Sequence, residues 1–354
     1  MKEKYFLGGV TPKGFLTYLG ELVNDTMYYT YILKGGPGTG KSSFMKRIAK
    51  HFEKRENIVY YYCSSDPDSL DAIELTVSKV IIVDGTAPHV FEPKYPGVCE
   101  RIINLGEYWN KQELKENSEK IISTINHNKS LMAMASDNHK VLSKACEDRY
   151  NFAKDYVDKG KIENAAKDFC AKIFEANRGR KGEKNIRQLS VMTRYGYMTQ
   201  MDTVDNYSKV FILKDDSFIA SDIFIDIVAK RAMEIGYDTV ISPCLLFGSF
   251  IGEHLLIKEL DVAIITSNPM TNINYNAEDI IDCQGFYKED GSIQNEVFLK
   301  DNTKRIDELT GKSRQLLNEA KSVHDEIEKY YSSAMNFELV ESLFKVVCEE
   351  IQEL

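Results

Sequence analysis

Residues 35–43, with the sequence GGPGTGKSS, combine closely spaced glycines with a lysine and two serines. Gly35, Gly40, Lys41 and Ser42 fit G-x-x-x-x-G-K-[ST], the pattern of a loop whose backbone N–H groups surround phosphate. Glycine permits the backbone angles and the close approach that such a loop needs. Because the run follows an apolar, β-branched segment and precedes an amphipathic one, the pattern predicts a strand, an anion-binding loop and a helix N-terminus.

The lysine and serine of this loop, here called the first loop, predict binding of a nucleoside triphosphate with magnesium. We expect Lys41 to reach the β- and γ-phosphates of ATP and Ser42 to ligate Mg²⁺. Asp84 ends the apolar run VIIVD and is the expected metal-side carboxylate, acting through water. The predicted cofactors are therefore ATP and Mg²⁺, and the predicted nucleotide-binding residues are Gly35, Gly36, Pro37, Gly38, Thr39, Gly40, Lys41, Ser42 and Ser43.

Other polar residues follow predicted strands and complete a candidate catalytic set with Lys41 and Asp84. Asp66 and Asp68 could orient water or accept a proton from a substrate hydroxyl. The same Asp-Pro-Asp-Ser run could instead be a turn and a helix cap. His89 has a catalytic interpretation, but a surface or capping role is slightly favoured.

Bulk composition places limits on the partners of this chain. It has 354 residues, of which 43% are apolar and 28% charged, as in an ordinary globular protein. A formal net charge of -9 disfavours general electrostatic binding to nucleic acid or to an anionic membrane. Seven cysteines without a CxxC pair, and no long apolar run, predict a cytoplasmic protein without a membrane partner. A homo-oligomer or a protein partner stays open.

An internal repeat divides the chain into two copies. The segment TPKGFLTYL (11–19) pairs with TRYGYMTQM (193–201), and KVIIVD (79–84) pairs with DVAIIT (261–266), both at an offset of 182 residues. Such a nearly constant offset indicates duplication. We therefore expect two domains, 1–182 and 183–354.

Each copy alternates predicted strands with helices, which is typical of an α/β fold with a doubly wound parallel sheet. No proline interrupts the chain between Pro96 and Pro243 or after Pro269, so we expect long appended helices within 110–177 and 295–352. The second of these carries a coiled-coil-like seam that predicts packing within the protein. Its members are Ile306, Leu309, Ser313, Leu316, Ala320, Val323, Ile327 and Tyr330.

The second copy has lost the phosphate-binding pattern. In residues 215–223, here called the second loop, Asp215 and Asp216 align with the first two glycines, and Ser221 aligns with Lys41. Carboxylates where an anion would sit should repel phosphate. We expect a degenerate loop in a structural or regulatory domain, and a single nucleotide site per chain.

Basic residues crowd the junction between the copies. They could supply an arginine that stabilises charge during phosphoryl transfer, although a solvated basic linker is the favoured interpretation. These residues are Arg178, Arg180, Lys181, Lys184 and Arg187.

Four segments, ILKGGPGTGKSS, CSSDPDSLD, VDGTAPHVFEPKYPG and INLGEYW, resemble a family of bacterial tandem P-loop NTPases whose members are described only as ATPases or as nucleotide-kinase-like proteins. The resemblance spans the whole chain. It implies an α/β fold of the P-loop NTPase class, ATP binding at residues 35–43, and Asp84 as the metal-side carboxylate. Members often keep a glycine-rich loop in the second half, and this chain departs from the family there.

Three functions fit these features. The leading hypothesis is a slow or partner-stimulated Mg-dependent ATPase. A nucleotide or small-molecule kinase would explain why Gly85 stands where many ATP hydrolases place a water-orienting glutamate. A non-enzymatic ATP-sensing interaction protein is the third hypothesis.

Overall fold

The computed structural model describes residues 2–175, 177–288 and 293–354. The first copy contains eight strands and five helices within these residues. They are β1 (Lys2–Phe6), β2 (Gly8–Thr11), β3 (Gly14–Thr17), α1 (Leu19–Val23), β4 (Tyr29–Lys34), α2 (Lys41–Phe52), β5 (Ile58–Tyr62), β6 (Leu70–Leu75), β7 (Val80–Asp84), β8 (Glu100–Asn104), α3 (Lys111–Glu116), α4 (Ser118–Ala153) and α5 (Lys159–Ile173).

The second copy repeats this order with four helices in the described ranges. Its elements are β9 (Lys184–Ile186), β10 (Ser190–Thr193), β11 (Gly196–Thr199), α6 (Met201–Val204), β12 (Lys209–Lys214), α7 (Ile219–Glu234), β13 (Thr239–Pro243), β14 (Gly252–Ile257), β15 (Val262–Ser267), β16 (Asp279–Asp282), α8 (Ile293–Ala334) and α9 (Phe337–Glu353).

Each copy forms a six-stranded sheet, and the two sheets have corresponding orders, β1-β5-β6-β7-β4-β8 and β9-β13-β14-β15-β12-β16. This agrees with the repeat and confirms the α/β class. The expected parallel sheet is found in part: most neighbours are parallel, but β6 is antiparallel to β5 and β7, and β14 is antiparallel to β13 and β15. The connection at residues 63–69 is too short for the crossover that parallel neighbours require, so the chain turns back at once.

The compact units of the chain differ from the boundary expected at 182/183. Unit 1 comprises Met1–Gly9, Phe15–Ala135 and Arg314–Leu354, and unit 2 comprises Val10–Gly14 and Ser136–Ser313. Unit 1 therefore combines the first sheet with helical segments from the second copy. The 36 residues of α4 and 42 of α8 give lengths of about 54 and 63 Å at 1.5 Å per residue, more than a single small domain spans.

The core of unit 1 lies between its sheet and the helices α2 and α9. The apolar stripe predicted for α2, consisting of Phe44, Met45, Ile48, Ala49 and Phe52, is buried. It packs with Leu33 of β4 and Ile82 of β7, and Val347 of α9 belongs to the same cluster. This packing fixes where β4 ends and α2 begins, which positions the first loop.

The core of unit 2 is formed in the same way by β12, β15, α7 and α5. Phe211, Phe224 and Phe169 are buried together, with ring centroids 4.9 and 5.5 Å from Phe169. The seam predicted on α8 is buried or half-buried along its whole length. Over the part of the chain that the structure describes, no helix combines the length and apolarity needed to cross a membrane.

Candidate functional site

The first loop connects β4 to α2 and has the backbone conformation that its glycines permit. Gly38 and Gly40 have φ of +69° and +89°, in the left-handed region that a side chain disfavours. Gly40 immediately precedes α2, so the free N–H groups of the first helical turn face the loop. Thr39 is buried and its Oγ1 donates to the Gly36 carbonyl at 2.8 Å, which fixes the turn. The loop is thus shaped for an anion at a helix N-terminus.

Lys41 and Asp84 meet beneath this loop. The Lys41 Nζ donates to the carbonyl oxygens of Gly35 and Gly36 at 2.9 and 3.0 Å, and it lies 3.6 Å from Asp84 Oδ2. The two residues come together because β4 and β7 are parallel neighbours and both end at this edge of the sheet. The Asp84 carboxylate also accepts two hydrogen bonds from Thr86, at 2.9 Å from its N–H and 2.6 Å from its hydroxyl.

Ser42 joins the site from the first turn of α2. Its Oγ accepts a hydrogen bond from the Leu70 N–H at 3.0 Å, and this holds the hydroxyl between the loop and β6. Ser43, the next residue, is exposed. A hydroxyl, one carboxylate and phosphate oxygens are a typical donor set for Mg²⁺, which keeps several of its waters. Ser42 and Asp84 therefore fit the predicted metal-side roles.

The structure separates Asp66 and Asp68, which the sequence treated alike. Asp66 is half-buried, accepts a hydrogen bond from the Ser69 hydroxyl at 3.0 Å, and lies 3.6 Å from Lys321 Nζ. Asp68 is exposed, and its backbone carbonyl accepts a hydrogen bond from Lys46. The Ser69 N–H also donates to the Asp66 carbonyl, as in a turn. The local geometry favours the turn interpretation over a shared catalytic role.

His89 is buried rather than exposed, so the favoured surface or capping role is wrong. Its Nε2 lies 2.9 Å from Asp71 Oδ2 and its Nδ1 lies 2.8 Å from Thr17 Oγ1, so both ring nitrogens have partners. Asp71 follows Leu70 in β6, and its pKa is raised, chiefly by burial, while the hydrogen bond from His89 opposes that shift. The sequence pattern gave no sign of this pair, because Asp71 follows the acidic Asp-Pro-Asp-Ser run and nothing local shows that a strand begins at Leu70.

A segment of α8 lies directly on the first loop within unit 1. We call residues 321–331 the strap. A Cβ placed on Gly38 would lie 2.4 Å from the Glu328 carbonyl oxygen, and one on Gly36 would lie 3.0 Å from the Tyr331 ring. The strap also includes Lys321, the partner of Asp66. No sequence motif indicated this contact, because the apolar spacing of the segment predicts only a packed helix.

The second loop shares one left-handed residue with the first and holds its own carboxylate. Phe218 has φ of +66°, close to that of Gly38, with which it aligns. Asp215 is buried, and its carboxylate accepts hydrogen bonds from the Ser217 N–H at 2.9 Å and the Ser221 N–H at 2.8 Å. Asp215 therefore satisfies the N–H groups internally, and the expected repulsion is only part of why this loop should not hold phosphate.

The arginines of the junction are engaged within unit 2. Arg178 forms an ion pair with Glu259, and Arg180 pairs with Asp238 at 2.8 Å and with Glu259 at 3.1 Å. All four side chains are partly exposed. These pairs favour the linker interpretation. No protein-family model, curated protein or solved structure matches this chain, so the site stands on its geometry.

Proposed function

We propose that the chain binds Mg-ATP at residues 35–43 and hydrolyses it slowly. The observation that carries this proposal is the meeting of three features at one sheet edge. They are a left-handed glycine loop, the N-terminus of α2, and the Lys41 and Asp84 side chains 3.6 Å apart. This combination supplies N–H donors and a cation for phosphate, with a carboxylate for the metal.

The side chains have clear tasks in such a site. Lys41 now donates to two carbonyls of its own loop, and the same ammonium can be redirected to phosphate oxygens without leaving the loop. The Asp84 carboxylate, oriented by Thr86, would hold the water shell of Mg²⁺. Bound Mg²⁺ would neutralise charge on the phosphates. Ser42 would provide the hydroxyl ligand.

Slow turnover is supported by the state of the nearby carboxylates. Asp66 is engaged by Ser69 and Lys321, and Asp71 by His89. Gly85 stands directly after Asp84, where a water-orienting carboxylate would be most useful. Positioning of the attacking water is therefore the weakest part of the proposed mechanism.

Lys41→Ala tests the proposal, with Lys50→Ala as the matched control. Lys50 is exposed on the same helix, α2. A charge-assisted contact to phosphate is worth roughly 1.5–3 kcal/mol, so Lys41→Ala should weaken Mg-ATP binding by about 10- to 100-fold. Lys50→Ala should leave the affinity unchanged. Calorimetric titration measures both, and circular dichroism confirms folding.

If wild type and a folded Lys41→Ala variant bind Mg-ATP with equal affinity, the first loop is not the nucleotide site. Phosphate release at saturating Mg-ATP then tests the reaction. The assay is repeated with an added alcohol or nucleoside monophosphate as acceptor. If the phosphate is then found on the acceptor and not free in solution, the reaction is transfer and not hydrolysis.

A further inference from the structure

The strap lies against Gly36 and Gly38 of the first loop, the segment that the proposed function assigns to phosphate. Its backbone at Glu328 is so close to Gly38 that no side chain would fit between them, since a Cβ there would lie 2.9 Å from the Glu328 Cα as well. The Tyr331 ring would lie 3.0 Å from a Cβ on Gly36, and its centroid is 5.5 Å from that of the Trp109 ring. Two adjacent helical turns thus rest on the loop.

Glu328 carries a negative charge on the part of the strap that touches the first loop. Its side chain is 42% exposed and lies 3.5 Å from His324 Nε2. The pKa of Glu328 is lowered, first by its hydrogen bond with His324, and the Gly38 backbone N–H lowers it further. Because the backbone of Glu328 touches Gly38, its side chain places a carboxylate beside the loop that the proposed function assigns to phosphate.

The strap also forms an ion pair with the segment that follows β5. Lys321 lies 3.6 Å from Asp66, and the same ammonium pairs with Asp325 one helical turn along. Lys321 and Asp66 are both shielded, with exposed side-chain fractions of 22% and 16%. The strap is therefore held at one end by Asp66 and at the other by the first loop.

We propose that the strap is an autoinhibitory element in which the Glu328 carboxylate competes with nucleotide phosphate for the first loop. This rests on the proposed function, since it assumes that the loop binds ATP. Phosphate entering the loop brings a second anion beside the Glu328 carboxylate, and the repulsion displaces Glu328 and releases the strap from the loop. Only molecules with an open strap bind nucleotide, so the apparent Kd equals the intrinsic Kd divided by the fraction of molecules in which the strap is open.

The second loop provides a precedent within the same chain. There the Asp215 carboxylate accepts two backbone N–H groups of the loop and hydroxyl hydrogen bonds from Ser221 at 3.0 Å and Tyr287 at 3.2 Å. Asp215 thus shows that a carboxylate can occupy the N–H donors of such a loop. The difference is that Asp215 belongs to its loop, whereas Glu328 lies on a separate helix and can leave.

Glu328→Gln in the full chain is the critical variant, because the amide keeps the size of the side chain and removes its charge. Glu326→Gln is the matched control, since Glu326 is exposed on the same helix two residues earlier. By titration we expect Glu328→Gln to bind Mg-ATP on the order of tenfold more tightly than wild type. Glu326→Gln should match wild type.

The possible results separate this proposal from the proposed function. If Lys41→Ala loses binding while Glu328→Gln binds ATP with unchanged or weaker affinity, the first loop is a nucleotide site and the strap does not inhibit it. If neither wild type nor Glu328→Gln binds ATP at all, both proposals are overturned, because removal of the competing charge should have revealed the site.

Hydrogen exchange gives a readout that does not depend on affinity. Addition of saturating Mg-ATP to wild type should speed amide exchange several-fold in peptides covering residues 321–331. Peptides from α7, in unit 2, serve as an internal reference. Slower exchange across the strap on ATP addition would mean that the strap closes on the nucleotide, and the autoinhibitory proposal would be wrong.

Discussion

Glu253 of β14 is a buried acid whose ionisation should make folding stability depend on pH. Its carboxyl oxygens accept hydrogen bonds from the Tyr197 hydroxyl at 2.9 Å and the Asn268 amide at 2.9 Å. Burial raises the pKa of Glu253 from its ordinary 4.5 to about 8, while these hydrogen bonds oppose the shift. In the folded protein the group therefore holds its proton at neutral pH.

The sign and size of the effect follow from linkage. Between pH 4.5 and 8 the folded state binds more protons at Glu253 than the unfolded state, so the free energy of unfolding falls as pH rises. At about 1.4 kcal/mol per pH unit, the full shift corresponds to about 5 kcal/mol. Burial lowers the pKa of the neighbouring His254 to about 3, which gives the opposite slope below pH 6.5. From pH 6.5 to 8 only Glu253 of this pair should contribute, with a loss of about 2 kcal/mol.

Glu253→Gln should abolish this loss, because the amide keeps both hydrogen-bond partners and cannot ionise. Urea unfolding followed by circular dichroism, at half-unit intervals from pH 6.5 to 8.5, measures the slope. The exposed Glu278, changed to Gln, is the control for loss of one acid in unit 2. We expect the Glu278→Gln slope to match wild type.

Parallel wild-type and Glu253→Gln stability profiles across this pH range would refute the reasoning. They would mean that Glu253 ionises in the folded protein with little penalty, through water entry or local rearrangement. If the free energy of unfolding is independent of pH in both Glu253→Gln and Glu278→Gln, the wild-type slope comes from a general effect of net charge and not from Glu253.

Three further predictions concern the two loops and a buried histidine. Ser221→Lys should gain no ATP binding in equilibrium dialysis, because Asp215 already satisfies the second loop, and a stoichiometry of two would contradict this. Asp84→Asn should raise the magnesium concentration needed for half-maximal ATP turnover at least tenfold, with little change in the thermal midpoint of unfolding. An unchanged magnesium titration would mean that Asp84 only ends the strand and has no metal-side role. His254→Gln should remove the loss of stability that His254 contributes as pH falls from 6.5 to 4.5, because the buried neutral imidazole of the wild type takes up a proton on unfolding; equal acid profiles in wild type and variant would show that His254 makes no such contribution.

Local sequence patterns were sufficient to predict the first loop and its flanking elements. The glycine spacing of residues 35–43 and the apolar stripe of α2 depend on neighbours within one or two turns, so no distant contact is needed to specify them. The pairing of Lys41 with Asp84 was also foreseeable, because both follow strands of one sheet. The corresponding order of the two sheets follows from the repeat.

The direction of β6 could have been predicted from the lengths of the connections on either side of it. The short connections around β6, at residues 63–69 and 76–79, allow only a reversal of the chain. In the antiparallel β6, Asp71 is a buried strand residue that meets His89. A length argument would have found the reversal, but the partner of Asp71 depends on how residues 85–89 fold back.

The remaining features were decided only by tertiary structure. The seam of apolar residues on α8 indicates that one face of the helix is packed, but it does not identify the partner. The same sequence pattern is compatible with any apolar partner, so neither the division of α4 and α8 between the compact units nor the position of Glu328 on Gly38 could be read from it. Likewise, Asp215 looked like a source of repulsion in the sequence, and only the fold showed that the second loop wraps around its carboxylate, because the direction of N–H groups is a property of backbone angles.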